Sequence, residues 1–281
     1  MERTLLACAS LCMLSVLLIT VFIFERGLPL FREVSAREFL LGTTWQPTSE
    51  TSPGYGILGF FVGTIAVSLG ALVLAVPLGV ACGTFLAELA HGPVTRILRS
   101  VVELLAGIPS VVYGFFGVII ICRLLRAVFG GTGYSVLAAA LVLAIMTLPT
   151  IVSITEAAVR SVPRDHRDAS YAIGATQAQT IWRVMLPEAR AGIIAAVILG
   201  IGRAIGETLA VLMVGGNAPV MPDGPLSMVR TLTMNIITDM GYASGVHLDA
   251  LFATSMVLFI LIMVTNLSVG AISRQALLAR V

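Results

Sequence analysis

Arg203 and Glu207 stand four residues apart in an apolar stretch, Gly200-Ile201-Gly202-Arg203-Ala204-Ile205-Gly206-Glu207-Thr208. Counted from the start of that stretch near Ala191, Arg203 falls about 18 Å along a helix axis, around mid-bilayer. A guanidinium there costs at least about 2.5 kcal/mol on insertion scales, so it needs a partner. Glu207, one helical turn on, has the spacing to supply it. The chemistry that such a group suits is oxyanion recognition, because its planar fork offers several N–H donors to a tetrahedral anion. Glu207 would orient Arg203, or accept a proton from a protonated oxyanion. A purely structural ion pair between helices competes with this reading, but ionisable groups inside a membrane more often serve a pathway. Thr208 adds a hydroxyl beside the pair, and Gly200, Gly202 and Gly206 let neighbouring helices approach.

A second candidate is Gly107-Ile108-Pro109-Ser110. Pro109 removes a backbone donor and breaks a helix, leaving free N–H groups and the Ser110 hydroxyl for an anion, with Tyr113 close behind. A packing kink accounts for the same residues equally well.

A third lies between two apolar runs. Ser161-Val162-Pro163 has the look of a helix start, with Ser161 as N-cap. Arg164 to Gly174 then sets charges, among them Arg167 and Asp168, beside the small face of Ala169, Ala172 and Ile173. Gly174 permits a sharp turn. A second helical stretch over 176–184 leads to Leu186-Pro187, where Pro187 is expected to break it. Two short helices joined at a glycine make a rigid knob that suits a partner's groove.

The elements that position these residues follow from composition. Of 281 residues 58% are hydrophobic and 11% charged, and the mean hydropathy is +1.00. That is too little charge to cover a water-soluble surface, so the fold class is all-α polytopic membrane protein. Charge-free windows predict six spans, at 4–24, 57–83, 101–122, 134–154, 191–213 and 249–272. The first ends in Phe22-Ile23-Phe24-Glu25-Arg26 without a small-residue cleavage site, which reads as an uncleaved span. Polar loops at 25–56 and 215–248 fall on the outer side, the second with an apolar stretch, Leu226 to Met240, that suits a short interfacial or re-entrant helix.

Arginine placement favours both termini inside. Arg3, Arg96, Arg99, Arg160, Arg164, Arg167, Arg183, Arg190, Arg274 and Arg280 fall on the cytoplasmic side, against Arg26, Arg32, Arg37, Arg123, Arg126 and Arg230 outside. There is no lysine in the chain, so it cannot build a phosphate-binding loop of the kind that needs one, and any ATP must be hydrolysed by another subunit. Cys8, Cys12, Cys82 and Cys122 sit in apolar runs without metal-ligand spacing and read as small hydrophobes.

The loop at 160–188 resembles the "EAA" loop of ABC importer permeases: Asp168-Ala169-Ser170, Gly174, Val184 and Leu186-Pro187 fall at its spacings. The resemblance implies that Arg167, Asp168, Ala169, Ser170, Ala172, Gly174, Leu186 and Pro187 dock on an ATP-binding subunit. Tyr55 to Leu58, Glu103 to Gly114, Gly202 to Thr208, Met234 to Ile236 and His247 to Phe252 together resemble phosphate-specific permeases of bacterial ABC importers, of the PstC type. What this implies is a type I importer permease fold, with a first helix and outer loop at 1–55 and the permease core at 56–276. It also implies inorganic phosphate as substrate, carried past Arg203, Glu207, Ser110 and Thr208, in the bacterial inner membrane. The partners implied are a sister permease, two ATP-binding subunits and an extracytoplasmic phosphate-binding protein, with no cofactor on this chain and no nucleic acid. A permease for molybdate or sulfate is the near alternative. A secondary anion transporter would need no knob, and no motif of a membrane enzyme is present.

Overall fold

The computed structural model describes residues 2–278, with side chains over 4–268. Its long apolar helices are α1 (Glu2–Gly27), α3 (Leu58–Glu88), α7 (Val136–Arg160) and α14 (Val246–Leu278). The short α2 (Ala36–Leu41) lies in the first long loop. An amphipathic helix, α4 (Pro93–Gly107), precedes a span at Ser110–Phe129. That span consists of α5 (Ser110–Phe116), a π turn over Gly117–Cys122, and α6 (Arg123–Phe129). After α7 come α8 (Arg164–Ala172), α9 (Gln177–Thr180), a second π turn over Ile181–Met185, and α10 (Leu186–Glu188). Then follow α11 (Arg190–Gly206), α12 (Leu209–Gly215) and α13 (Leu232–Asp239). Five helices are long and apolar enough to cross a membrane, six with the bent segment Gln177–Glu188 and Arg190–Gly206 counted as one span.

α7 is the central span, 61% of its apolar window being buried, whereas the same window of α1 is wholly uncovered. Close approaches show how it is surrounded. Gly70, Gly79 and Gly83 of α3 face Ala140, Ile151 and Thr155 of α7 in turn, so these two helices run parallel. Gly192 and Gly200 of α11 face Ala158 and Ile151, so α11 runs antiparallel to α7. Small residues at these crossings bring backbones close where lipid supplies no hydrophobic drive. The main core, including Val67, Ala71, Leu143, Ile151, Ala196 and Val211, lies between these helices. α1 packs chiefly on α14, through Gly27 at Met256 and edge-on rings of Phe22 with Phe252.

A second cluster sits at one end, which we call the loop end. There Leu30, Phe39 and Trp45 of the first loop cover Phe60, Leu232 and Leu251. A two-residue hairpin pairs Trp45 with Tyr55 and Gln46 with Gly54. α4 and α8 to α10 occupy the opposite, knob end.

Several sequence expectations shift. The third span is 110–129 rather than 101–122, because Ile108 and Pro109 are extended (ψ 128° and 144°) and divide α4 from α5. The residue before a proline is pushed from the helical region, so the chain straightens one residue early. The fifth span is likewise not continuous: it stops at Gly206 and restarts at Leu209. Pro187 does not end its helix. The helix passes through it and bends by 68° just beyond, around Ala189. Pro187 cannot bond to the Arg183 carbonyl, and the strain is taken up in the π turn, where the Leu186 N–H reaches back five residues to Ile181 O. Ser161 ends α7 instead of starting α8, whose cap is Pro163. The short helix expected within 226–240 is α13. Arg280 lies outside the described residues, and the side chains of Arg3 and Arg274 lie outside the described part as well.

Candidate substrate path and docking knob

The two helix breaks lie against each other. Gly114 of α5 approaches Ala210 and Met213 of α12, so the segments after both breaks pack as a pair. At the first break the Tyr113 hydroxyl donates to Leu105 O at 2.7 Å, pinning α5 back to the end of α4. Ser110 opens α5, half-buried. At the second break Glu207 is extended (ψ 133°), and its Oε1 accepts the Ala210 N–H at 3.1 Å, capping α12. The Glu207 carbonyl accepts from Thr233 Oγ1 of α13 at 3.0 Å. Among the described residues the Thr208 hydroxyl makes only a long bond, 3.4 Å, to Gly206 O, while its carbonyl accepts from the Leu212 N–H at 2.9 Å.

This geometry corrects one expectation. Glu207 is not one helical turn beyond Arg203, because the helix has ended, and among the described residues no ion pair joins them. Instead Arg203 Nη1 donates to Thr150 Oγ1 of α7 at 3.1 Å, its one hydrogen bond among the described residues. Arg203 is half-buried. A guanidinium within an apolar span therefore stands without a carboxylate, most of its donors unspent. Its remaining N–H groups can donate to an anion.

At the knob end, α8 is bonded to the end of α3 and to α9. Arg167 Nη2 donates to Glu88 Oε1 at 2.5 Å, at the last residue of α3, and the Ser170 and Thr180 hydroxyls meet at 2.9 Å. Gly174 turns the chain with φ +85°, where a side chain would be strained. Thr176 then starts α9 with a capping box completed by Gln179. Leu186 is partly buried against a small cluster containing Val159, Val162 and Met185. The expected docking set thus divides: Arg167, Ser170 and Leu186 face inward, whereas Asp168, Ala169, Ala172, Gly174 and Pro187 are exposed. With the outward group stands one large apolar side chain, Ile173 at 86% exposure, whereas Trp182, 73% exposed, lines an apolar groove with Val76, Ala81 and Phe85 of α3. Beside the knob, Glu156 of α7 pairs with Arg99 of α4 and, at 2.9 Å, with Arg160. That contact raises the pKa of the Arg99 guanidinium through its hydrogen bond and the carboxylate charge.

The loop end carries a buried polar hub. The Asp239 carboxylate accepts from Trp45 Nε1 at 2.9 Å, from the Tyr242 hydroxyl at 2.8 Å and from Arg230 Nη1 at 3.4 Å. His247 Nε2 lies 3.4 Å from it. Burial lowers the Arg230 pKa and Asp239 opposes that shift, while the bond to Asp239 raises the pKa of Tyr242. These side chains border an open cavity of about 370 Å³ together with Thr48 and Ser49.

Residues 75–280 match the model of the binding-protein-dependent transport system inner membrane component. The chain belongs to this family. A relative from Bacillus subtilis (strain 168), described as probable ABC transporter permease protein YqgH, is 41% identical over 91% of this chain and 84% of its own. The phosphate transport system permease protein PstC of Mesorhizobium japonicum is 34% identical over 79% of this chain and 74% of its own. Among solved structures, a bacterial ABC transporter importing the acidic polysaccharide alginate superposes with a TM-score of 0.65 at 15% identity, covering 98% of this chain and 96% of that one. The inward-facing MetNI methionine ABC transporter gives 0.60 at 21% identity over 79% and 94%. Both show the type I importer permease fold. As an inner membrane component of this kind the chain is a transport subunit, and such permeases work with ATP-binding subunits and a periplasmic binding protein.

Two groups of residues in this transport component escaped the sequence. Thr150 left only the faint signal of a hydroxyl directly after a mid-span proline, Leu148-Pro149-Thr150. The hub had none: Trp45, Arg230 and Asp239 are brought together across 194 residues of chain.

Proposed function

We propose that this chain is the membrane-spanning subunit of an ATP-driven importer of inorganic phosphate. The observation that carries the reading is Arg203, a guanidinium within a span, held by one neutral hydroxyl and lacking a carboxylate partner. Relatives described as phosphate permeases support the choice of anion. Arg203 is the transient contact for phosphate in an alternating-access cycle, with Ser110, Thr208 and the carboxyl of Glu207 at the adjacent breaks. Since Glu207 caps α12, a proton taken from the anion would loosen that cap, which ties the ionisation of the substrate to the second break.

The knob end faces the cytoplasm, as the Arg-rich segments favour, and both termini lie there. The loop end receives the phosphate-loaded binding protein. The exposed patch of Asp168, Ala169, Ala172 and Ile173 enters a cleft of an ATP-binding subunit; one such subunit serves this chain and a second serves a sister permease. Without a lysine the chain holds no ATP site of its own. The first helix and outer loop, 1–55, precede the permease core at 56–276.

The test is uptake of labelled phosphate by the assembled complex in proteoliposomes. Arg203→Gln is expected to abolish uptake while all subunits still co-purify. Full uptake in that variant refutes the role of Arg203. Competition by sulfate or molybdate as strong as that by unlabelled phosphate would replace phosphate with a wider oxyanion class.

A further inference from the structure

We infer that Thr150 is a second member of the oxyanion site, which sets the position of Arg203 and donates its own hydroxyl proton to the same anion. The inference rests on the reading of Arg203 as the phosphate contact.

The argument begins with how threonines behave in these spans. In an apolar helix a threonine normally turns its hydroxyl back to the carbonyl four residues earlier, since nothing else is near to accept the proton. Thr64, Thr84, Thr147, Thr254 and Thr265 all do so, at 2.6 to 2.9 Å. Thr150 does not. Its oxygen accepts from Arg203 Nη1, and its proton is committed to no acceptor among the described residues. Thr155, one turn on, is also without a partner, but it is fully buried. Thr150 is only partly buried, so its proton can reach a visiting anion.

A hydroxyl that accepts from a guanidinium also becomes a better donor, since the two bonds polarise each other. One anchored nitrogen fixes the plane of the guanidinium, and the remaining N–H groups and the Thr150 O–H are then available to the oxygens of one tetrahedral anion. Because α7 bears Thr150 and α11 bears Arg203, the site spans two helices, and relative movement of those helices would dismantle it. A site that must release its anion needs such a feature.

The experiment compares Thr150→Val with Thr150→Ser in the complete complex, reading phosphate uptake against the concentration of loaded binding protein. Valine keeps the shape and removes the hydroxyl. One hydrogen bond to a charged group corresponds to about a tenfold rate effect or more. The expected result is a Vmax about tenfold lower for valine, an unchanged KM for the binding protein, and serine within about twofold of the parent. Parent-like uptake with valine overturns the inference, and so does a serine variant as impaired as valine, which would assign the role to the methyl group. Should the valine complex not assemble, Thr150→Ala is read against serine in the same way. Arg203→Gln is run alongside. If it abolishes uptake while valine does not, only the role of Thr150 falls. If it leaves uptake intact, the reading of Arg203 falls first.

Discussion

Removing Arg167 by Arg167→Ala should loosen the knob from the core, and the size of the effect can be worked from its surroundings. Glu88 is 3% exposed at its side chain and Arg167 is 32% exposed. Removing one partner of a fully buried pair costs about 3–5 kcal/mol, while exposed pairs are worth about 0–1 kcal/mol. With the arginine one-third in water, an intermediate cost of about 2 kcal/mol is appropriate, equivalent to a factor of about 30 in the docking equilibrium. The contact between Ser170 and Thr180 remains, so α8 should stay folded but leave its seat on α3 more often. Hydrogen exchange of the amides over 164–175 is the direct assay, and their protection should fall by about that factor. In proteoliposomes the phosphate carried per ATP should fall as well, because a loosely seated knob passes less of the motor's movement to α11. Glu88→Gln, which keeps an acceptor, should show a smaller loss. Unchanged exchange together with loss of the ATP-binding subunit on purification would refute the reasoning and place Arg167 on the outward, docking side.

Three further outcomes are expected. Glu207→Ala should remove the α12 cap and lower the thermal stability of the complex by about 1 kcal/mol, whereas Glu207→Gln should keep the cap yet lose uptake if the carboxyl takes a proton; calorimetry and uptake separate the two. Ile173→Asp should release the ATP-binding subunit on co-purification without altering membrane insertion, and retention of that subunit would move the docking surface elsewhere. Gly174→Pro should abolish transport-coupled ATP hydrolysis in the inserted complex, because φ is +85° at that position and proline is confined to about −65°; normal coupling would refute the assignment of the turn.

The spans were legible in the sequence because lipid imposes a simple rule, long runs without charge, and α3, α7 and α14 obey it. The knob was legible because its punctuation is local: Pro163 and Gly174 bracket a short helix, and Gly174 takes the turn with φ +85°. Periodicity could not reveal where helices stop inside the membrane. A window over 191–213 is apolar whether or not the chain breaks at Glu207, so the pairing of Arg203 with Glu207 followed from a continuous helix that does not exist. Inward and outward faces of α8 were also hidden, because the partner of Arg167 lies 79 residues away. The hub at Asp239 depends on equally distant pairings.

Ile173 bears on how the complex would be made as well as on how it would work. A copy of this chain that has reached the membrane alone displays this large apolar side chain on the surface of the knob end, 86% exposed. Such a surface is a liability for solubility and an invitation to quality-control proteases. Under the proposed docking the ATP-binding subunit covers it, so an unaccompanied copy should be short-lived and the synthesis of the two chains should be kept in step. The patch that would receive force in the finished machine would then also report, during assembly, whether the machine is complete.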